Sequence, residues 1–340
     1  MIDNHNFTDQ QKIAISLIRN DLRFIHTIFR NKEQFQSNYI SFSMPLLGTI
    51  VDGVEDWVKS YNNSSKSKLD IPTFTDEEQA YYEEMRHAIK LWDNSYEAVY
   101  QKLQTIYQAS DDHFSNLCKP IAKILHLYDI FGVDLIDDEF CGNTILCAYF
   151  TPQYQFGNYD GEKIKKHSEI MGAYVALFDA MSEYAVNVNF QFRHKDYGGF
   201  FKSPVGNKFS DKFVLFSLLC QTQFIINCVE KYIVEECTTK LRFLYLQYYY
   251  LSKILPEINQ KLRTNFSMDV ALVSCNFRNA MAHYKIGVAL ASNEIVYDDP
   301  FFGLTQKFFQ CDYYSAKRFV INNLCALVRQ VKEYLQIDKG

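Results

Sequence analysis

Residues 274–287 read SCNFRNAMAHYKIG. The stretch reads as a helix otherwise built for packing, yet Arg278, Asn279 and His283 fall within six residues of it. At about 100° per residue, Asn279 and His283 share a helix face, while Arg278 and His283 lie about 140° apart. A long arginine side chain can still bend toward the histidine near a helix end. The expected result is one cation, one amide and one imidazole lining a shared groove.

Outward from this stretch the pattern stays helical. Helices are expected over 211–236, 238–255, 267–284 and 312–335. Between the last two, residues 284–300 (YKIGVALASNEIVYDDP) read as a β-hairpin with Ser292-Asn293 near its turn. The run 213–229 carries no charge, but Gln221, Thr222, Gln223 and Asn227 interrupt it, as befits a central bundle helix rather than a membrane span.

Upstream, Thr8 and Asp9 mark a helix start, and Ile13, Leu17, Phe24 and Ile28 keep helical spacing to about Phe35. A second helix is expected over 43–61, then a polar loop over 62–73. Thr75 and Glu78 form a capping box. Behind it Met85, Ile89, Trp92, Tyr96, Val99, Leu103 and Ile106 make one apolar stripe, expected on a single helix of about 30 residues. Another helix is expected over 113–131. Residues 132–161 are less regular and glycine-bearing, so a soft domain boundary is placed there. A helix over 162–188 follows. Next comes a loop or hairpin, FRHKDYGGFFKSPVGNKFSDK, rich in Gly, aromatics and Lys.

Composition agrees with a packed helical protein. Of 340 residues, 48% are hydrophobic and 22% charged, with only seven prolines and thirteen glycines, which disfavours an all-β or linker-rich chain. The net charge of −5 is no nucleic-acid signature in bulk. Residues 211–340 nonetheless carry 15 Lys and Arg against 12 Asp and Glu, so an anionic ligand fits better there. Nine cysteines at scattered spacings, with no CxxC pair, read as reduced; Cys220, Cys228, Cys275 and Cys325 in apolar helical stretches are expected to be buried. Lys12, Arg19, Asp21 and Arg23 interrupt every N-terminal apolar run, so no signal peptide is expected. Cytoplasmic location follows as the expectation, with no membrane partner.

An imidazole titrates near neutral pH and can take or give a proton. A guanidinium can hold a phosphate through two hydrogen bonds and stabilise a phosphorane as charge builds. The set suits metal-free phosphodiester chemistry on RNA, in which a ribose 2′-OH attacks its own phosphate. The products would be a 2′,3′-cyclic phosphate and a 5′-OH. The alternative for His283 is a buried histidine that only satisfies a backbone group.

Arg278, a polar Asn279 and then His283, with four residues between Arg and His, resemble the motif of the HEPN family. That family consists of helical bundles, many of them metal-independent ribonucleases. The resemblance covers roughly residues 211–335 and leaves the first half unexplained. It implies an all-α protein: an N-terminal helical region of unknown role over 1–150, then a HEPN-like domain over 160–340. The core of that domain is a four-helix bundle with a short β-hairpin insertion. It also implies a homodimer with facing motifs or a second bundle within this chain, a toxin or antiphage defence setting, and an antitoxin or regulatory protein as partner. Some HEPN proteins carry His-x-Tyr; here Tyr284 follows His283 directly, so that pattern is broken.

Three roles follow. His283 would be the general acid/base, Arg278 would stabilise the phosphorane, and Asn279 would orient the phosphate or the imidazole. Tyr284 and Lys285 are candidates for substrate contact; the alternative is that Tyr284 packs and Lys285 is solvated. A second match, Arg19, Asn20 and His26, sits in the first helix without hairpin or closing helix, where a solvated helix face is the plain reading. Arg193, Lys195 and Lys202, interleaved with aromatics, could follow an RNA backbone; a surface hairpin with a polar outer face is the alternative.

The histidines show no HxxxH or HExxH spacing, and no Walker or GxGxxG sequence occurs, so no metal site and no cofactor are expected. Asp76-Glu77-Glu78 and Asp137-Asp138-Glu139 are expected at helix N-termini. Asp298-Asp299-Pro300 reads as a turn. The other function class is a non-catalytic helical module that binds RNA, a nucleotide or a protein.

Overall fold

A computed structural model of the chain describes residues 7–31, 33, 38–66, 68–72, 74–151, 161–198, 203–284, 290–296 and 299–337. The fold is mostly helical, with one three-stranded antiparallel sheet that the all-α expectation lacked.

Two helix starts follow the sequence closely. Thr8 caps α1 (Asp9–Arg30) through a capping box with Gln11, and α1 buries Ile13, Leu17, Phe24 and Ile28. It ends at Arg30, short of Phe35. Helix α2 spans Asn38–Ser64, longer than the expected 43–61. Thr75 and Glu78 form the capping box of α3 (Asp76–Ala88), whose first turn holds Asp76, Glu77 and Glu78.

The long helix expected next is broken. Leu91–Asp93 is a 3-10 turn, and α4 (Tyr96–Leu117) starts afresh behind the N-cap Ser95. The Asn94 amide closes the first half by donating to the Lys90 and Leu91 carbonyls, at 3.0 and 2.9 Å. Fully buried Trp92 donates its Nε1–H to Oε1 of Gln221 at 2.6 Å. The apolar stripe is nonetheless buried at Met85, Trp92, Tyr96, Val99, Leu103 and Ile106. Periodicity identified the buried face, and local capping set the break.

The helix expected over 113–131 does not form. Pro120 begins a separate short helix, α5 (Pro120–Ile124), since its ring and missing N–H cannot continue α4. Strand β1 (Asp129–Ile136) then pairs antiparallel with β2 (Glu139–Asn143). Asp137 and Asp138, expected at a helix start, form the two-residue turn between them. Both have positive φ, 50° and 65°, as a hairpin turn matched to strand twist requires. Helices α6 (Thr144–Phe150) and α7 (Gly161–Leu177) follow; α7 stops well before residue 188. The predicted Lys-rich hairpin contributes a single strand, β3 (Phe192–Gly198), which pairs with β1 to give the order β2-β1-β3.

Helix α8 (Asp211–Gln223) runs through a π turn, Phe224–Val229, into α9 (Glu230–Tyr232). The run 211–232 is long and apolar enough to cross a membrane, and nearly all of it is buried inside the protein. Helix α10 (Thr238–Leu262) exceeds its expected end at 255. The helix expected over 267–284 is only α11 (Cys275–Ala282). Side chains of α10 and the last helix take up backbone groups before it: Asp269 N–H donates to Asn323, and the Tyr245 hydroxyl bridges the Leu272 carbonyl and the Ser274 N–H. Ser292–Glu294, the expected hairpin turn, is a 3-10 turn, and described residues 290–296 join no sheet. The rest of that hairpin, 285–289 and 297–298, lies outside the described residues.

Asp299 caps an additional helix, α12 (Pro300–Phe309), with Pro300 in its first turn. The chain closes with α13 (Tyr313–Leu335). One buried hydrophobic cluster draws on the chain from Phe7 to Ile337, joining α1, α8, α10 and α13. All nine cysteines are free thiols; Cys220 and Cys228 are buried, Cys325 is half-buried, and Cys275 is exposed rather than buried.

Candidate functional site

His283 is the residue that ends α11. Its backbone leaves the helix (φ −128°, ψ 138°), and its N–H donates to the Asn279 carbonyl at 3.2 Å. The i, i+4 relation is therefore realised as a backbone cap. The Asn279 amide is exposed and contacts Cys275 Sγ at 3.8 Å, away from the imidazole. The His283 side chain reaches solvent and helps line a cavity of about 360 Å³ between α1 and α2, with Asp52, Gly53, Asp56 and Trp57 on its α2 wall.

Two cations near this imidazole form no ion pair among the described residues. Arg278 is half-buried and its guanidinium lies over the rings of Tyr249 and Tyr250, 5.4 and 5.9 Å from their centroids. Its Nε is buried without a hydrogen-bond partner, and among the described residues the side chain forms no hydrogen bond or ion pair. Lys90, half-buried just beyond α3, likewise has no ion pair among the described residues. Burial holds the Lys90 ammonium below its ordinary value, the charges of Arg278 and Arg86 push it the same way, and the Asp93 carboxylate opposes them. A third cation, Arg86, is neutralised by Asp52 at 2.8 Å.

These charges act on His283. Partial burial lowers its pKa; Asp52 opposes the shift, and Arg86, Lys90 and Arg278 reinforce it. The imidazole is therefore neutral at pH 7, ready to accept a proton. Two mutually repelling cations, only one of them with a carboxylate (Asp93) nearby, lie close to a neutral imidazole, and an incoming anion relieves that repulsion.

Tyr284, next in sequence, points inward. It is buried, and its hydroxyl donates to the carboxylate of fully buried Asp21 in α1. Thr239 donates to the other Asp21 oxygen at 2.7 Å, and Arg242 lies 3.3 Å from the carboxylate. The Tyr284 ring fits against α2 only because residue 53 is glycine: a Cβ there would stand 1.8 Å from Tyr284 Cδ2. Asp21 and Gly53 thus fix the backbone that carries His283.

The remaining predicted residues lie elsewhere. Arg193, exposed on β3, forms an ion pair with Asp138 in the β1–β2 turn. Lys195 is exposed, with its Nζ 5.2 Å from the centroid of the buried Tyr197 ring. Between them His194 bridges Asp134 and Asp196, and its hydrogen bond to Asp134 helps raise its pKa to about 9. Lys202 and Lys285 lie outside the described residues. In the α1 copy of the motif, Arg19 Nε donates to the Phe178 carbonyl at 2.8 Å. Asn20 accepts from the Tyr184 hydroxyl at 2.6 Å, and His26 Nδ1 is buried without a partner among the described residues.

Sequence reasoning missed Asp52, Arg86 and Lys90. The one available signal was the four-residue step from Arg86 to Lys90 at the end of α3, which also suits the helix dipole and so carries little information. Among the described residues, no group of three or more His, Cys, Asp or Glu side chains is placed to hold a metal ion. Neither a protein family, nor a curated protein, nor a solved structure matches this chain.

Proposed function

We propose that this chain is a metal-independent endoribonuclease whose C-terminal helices form a HEPN-like bundle around Arg278 and His283. One observation carries the reading: Arg278 and Lys90, neither in an ion pair among the described residues, lie close enough to His283 that their charges, with burial, keep its imidazole neutral. In this reading a phosphodiester lies against Arg278 and Lys90. His283 takes the proton of the ribose 2′-OH, and the 2′-oxygen attacks phosphorus. The bond to the 5′-oxygen breaks, and that oxygen takes up the proton that the His283 imidazolium now carries, directly or through water. The two cations stabilise the charge that builds on the phosphorane. The products are a 2′,3′-cyclic phosphate and a 5′-OH.

The same reading proposes a cytoplasmic homodimer in which a second motif faces the first, held in check by an antitoxin or regulatory protein in a toxin or antiphage setting. A non-catalytic module that binds RNA, a nucleotide or a protein partner is the second reading. It is favoured by the Asn279 amide, which contacts Cys275 and leaves the imidazole without that orienting bond. Cleavage of total RNA in EDTA by wild type and His283→Ala, with mapping of product ends, separates the two. Cyclic phosphates from wild type alone support the nuclease. RNA binding that survives in both proteins, with no product from either, supports the binder.

A further inference from the structure

The junction of α4 and α5 carries an anomaly that the site does not use. Leu117, Ile121, Ile124 and Leu125 are between 59% and 75% exposed, with Phe114 at 39% beside them, and no residue of α5 is buried. Single exposed apolar residues are ordinary, but a cluster of this kind marks an interaction surface. A five-residue helix is also far too short to persist on its own hydrogen bonds.

The backbone beneath the cluster is nonetheless held. His126 adopts a left-handed conformation (φ 51°), and Leu127 N–H donates to the Ala122 carbonyl at 2.8 Å, closing α5 with a helix-terminating motif. The two stems are tied at the base: Ser110 Oγ donates to the Ile130 carbonyl at 2.6 Å, and the Tyr128 hydroxyl to Asp111 at 2.7 Å. The result is a fixed knob with an uncovered apolar tip.

Charge identifies what covers it. In a chain of net charge −5, the tip of this knob carries Lys119 and Lys123, while the carboxylates Asp111, Asp112 and Asp129 stand at its base. A second copy meeting this knob across a twofold axis would set these lysines against their equals. An anionic lipid surface offers both headgroups for the lysines and an acyl boundary for the apolar tip. We propose that the α4–α5 knob docks the protein on anionic membranes. This departs from the expectation of no membrane partner and stands apart from the nuclease reading.

The test is co-sedimentation of the full chain with vesicles of phosphatidylglycerol and phosphatidylcholine in equal parts, against vesicles of phosphatidylcholine alone. Wild type should pellet with the anionic vesicles and far less with the neutral ones. The double variant Ile121→Ser, Ile124→Ser should lose at least about tenfold in partitioning, because two apolar side chains leave the acyl boundary. Since neither side chain is buried, its melting temperature should match wild type. Lys119→Gln and Lys123→Gln should each lose about fivefold. Three results would overturn the proposal: equal pelleting with both vesicle types, binding that survives the double serine variant, or a solution dimer that the same variant splits.

Discussion

Arg-Asn-His occurs twice in this chain, and the two copies do opposite things. In α1, Arg19 and Asn20 are consumed as fasteners: one binds the Phe178 carbonyl, the other the Tyr184 hydroxyl, and together they hold the segment after α7 against the helix. In α11, Arg278 makes no hydrogen bond among the described residues and is repelled by a second cation, Lys90. The letters are the same, but the partners differ. A polar group already satisfied by the fold stabilises it, whereas a half-buried cation left unsatisfied has its interaction energy available for a ligand.

The sharpest way to break this comparison is to remove each histidine in turn. His283→Ala should lower RNA cleavage by at least about a hundredfold, the ordinary scale for a general acid/base. His26→Ala should leave cleavage within about twofold of wild type, on a scale where tenfold is about 1.4 kcal/mol. Equal losses at the two positions, read from product formation in EDTA, would sink the assignment of the site to α11.

The two copies are also joined, through the residue that follows Asn20. Asp21 is fully buried and accepts from Thr239 and Tyr284 beside the equally buried Arg242, three of whose nitrogens have no hydrogen-bond partner among the described residues. Asp21→Asn leaves that guanidinium without its counter-ion, and loss of one partner of a buried ion pair costs about 3–5 kcal/mol. Urea unfolding should show a loss of that size. If the loss is below about 1 kcal/mol, α1 is a bystander to the Tyr284 anchor.

Much of this architecture is legible in the sequence, and the failures have identifiable causes. The capping boxes at Thr8 and Thr75 are local chemistry and were readable as such. Strand β1 was not: DIFGVDLI is buried on both faces apart from exposed Asp129 and half-buried Asp134, so it lacks the in-out alternation that marks a half-buried strand. The end of α4 was missed because apolar spacing continues through Pro120 while the backbone cannot. At the site, Arg278 and His283 are close in sequence and could be read together. Asp52 comes from α2, Arg86 from α3 and Lys90 from the turn after it, all distant in the chain from His283, and only the tertiary fold brings their charges to bear on it.

A smaller effect is expected at Arg19. Replacing it by Ala removes a single hydrogen bond to the Phe178 carbonyl, so stability should fall by about 1 kcal/mol, with cleavage unchanged. Arg278→Ala should show the reverse emphasis: cleavage lost, and the salt dependence of RNA binding reduced because one phosphate contact is gone. Should Arg19→Ala weaken RNA binding as strongly as Arg278→Ala, the division between fastener and ligand-binding arginine fails.

The most delicate test lies in the pH dependence. Of the charges acting on His283, Asp52 raises its pKa while Arg86, Lys90 and Arg278 lower it. Asp52→Asn removes the opposing charge and also frees Arg86 from its ion pair. Both changes disfavour the imidazolium, so the His283 pKa must fall further. A general base works in its neutral form, so the acid limb of the kcat/KM profile should move to lower pH while the plateau above it stays level. The sign matters more than the size. A shift to higher pH would mean that the acid limb reports a group other than His283, and the cationic cluster would then serve to bind RNA without setting the proton inventory of its cleavage.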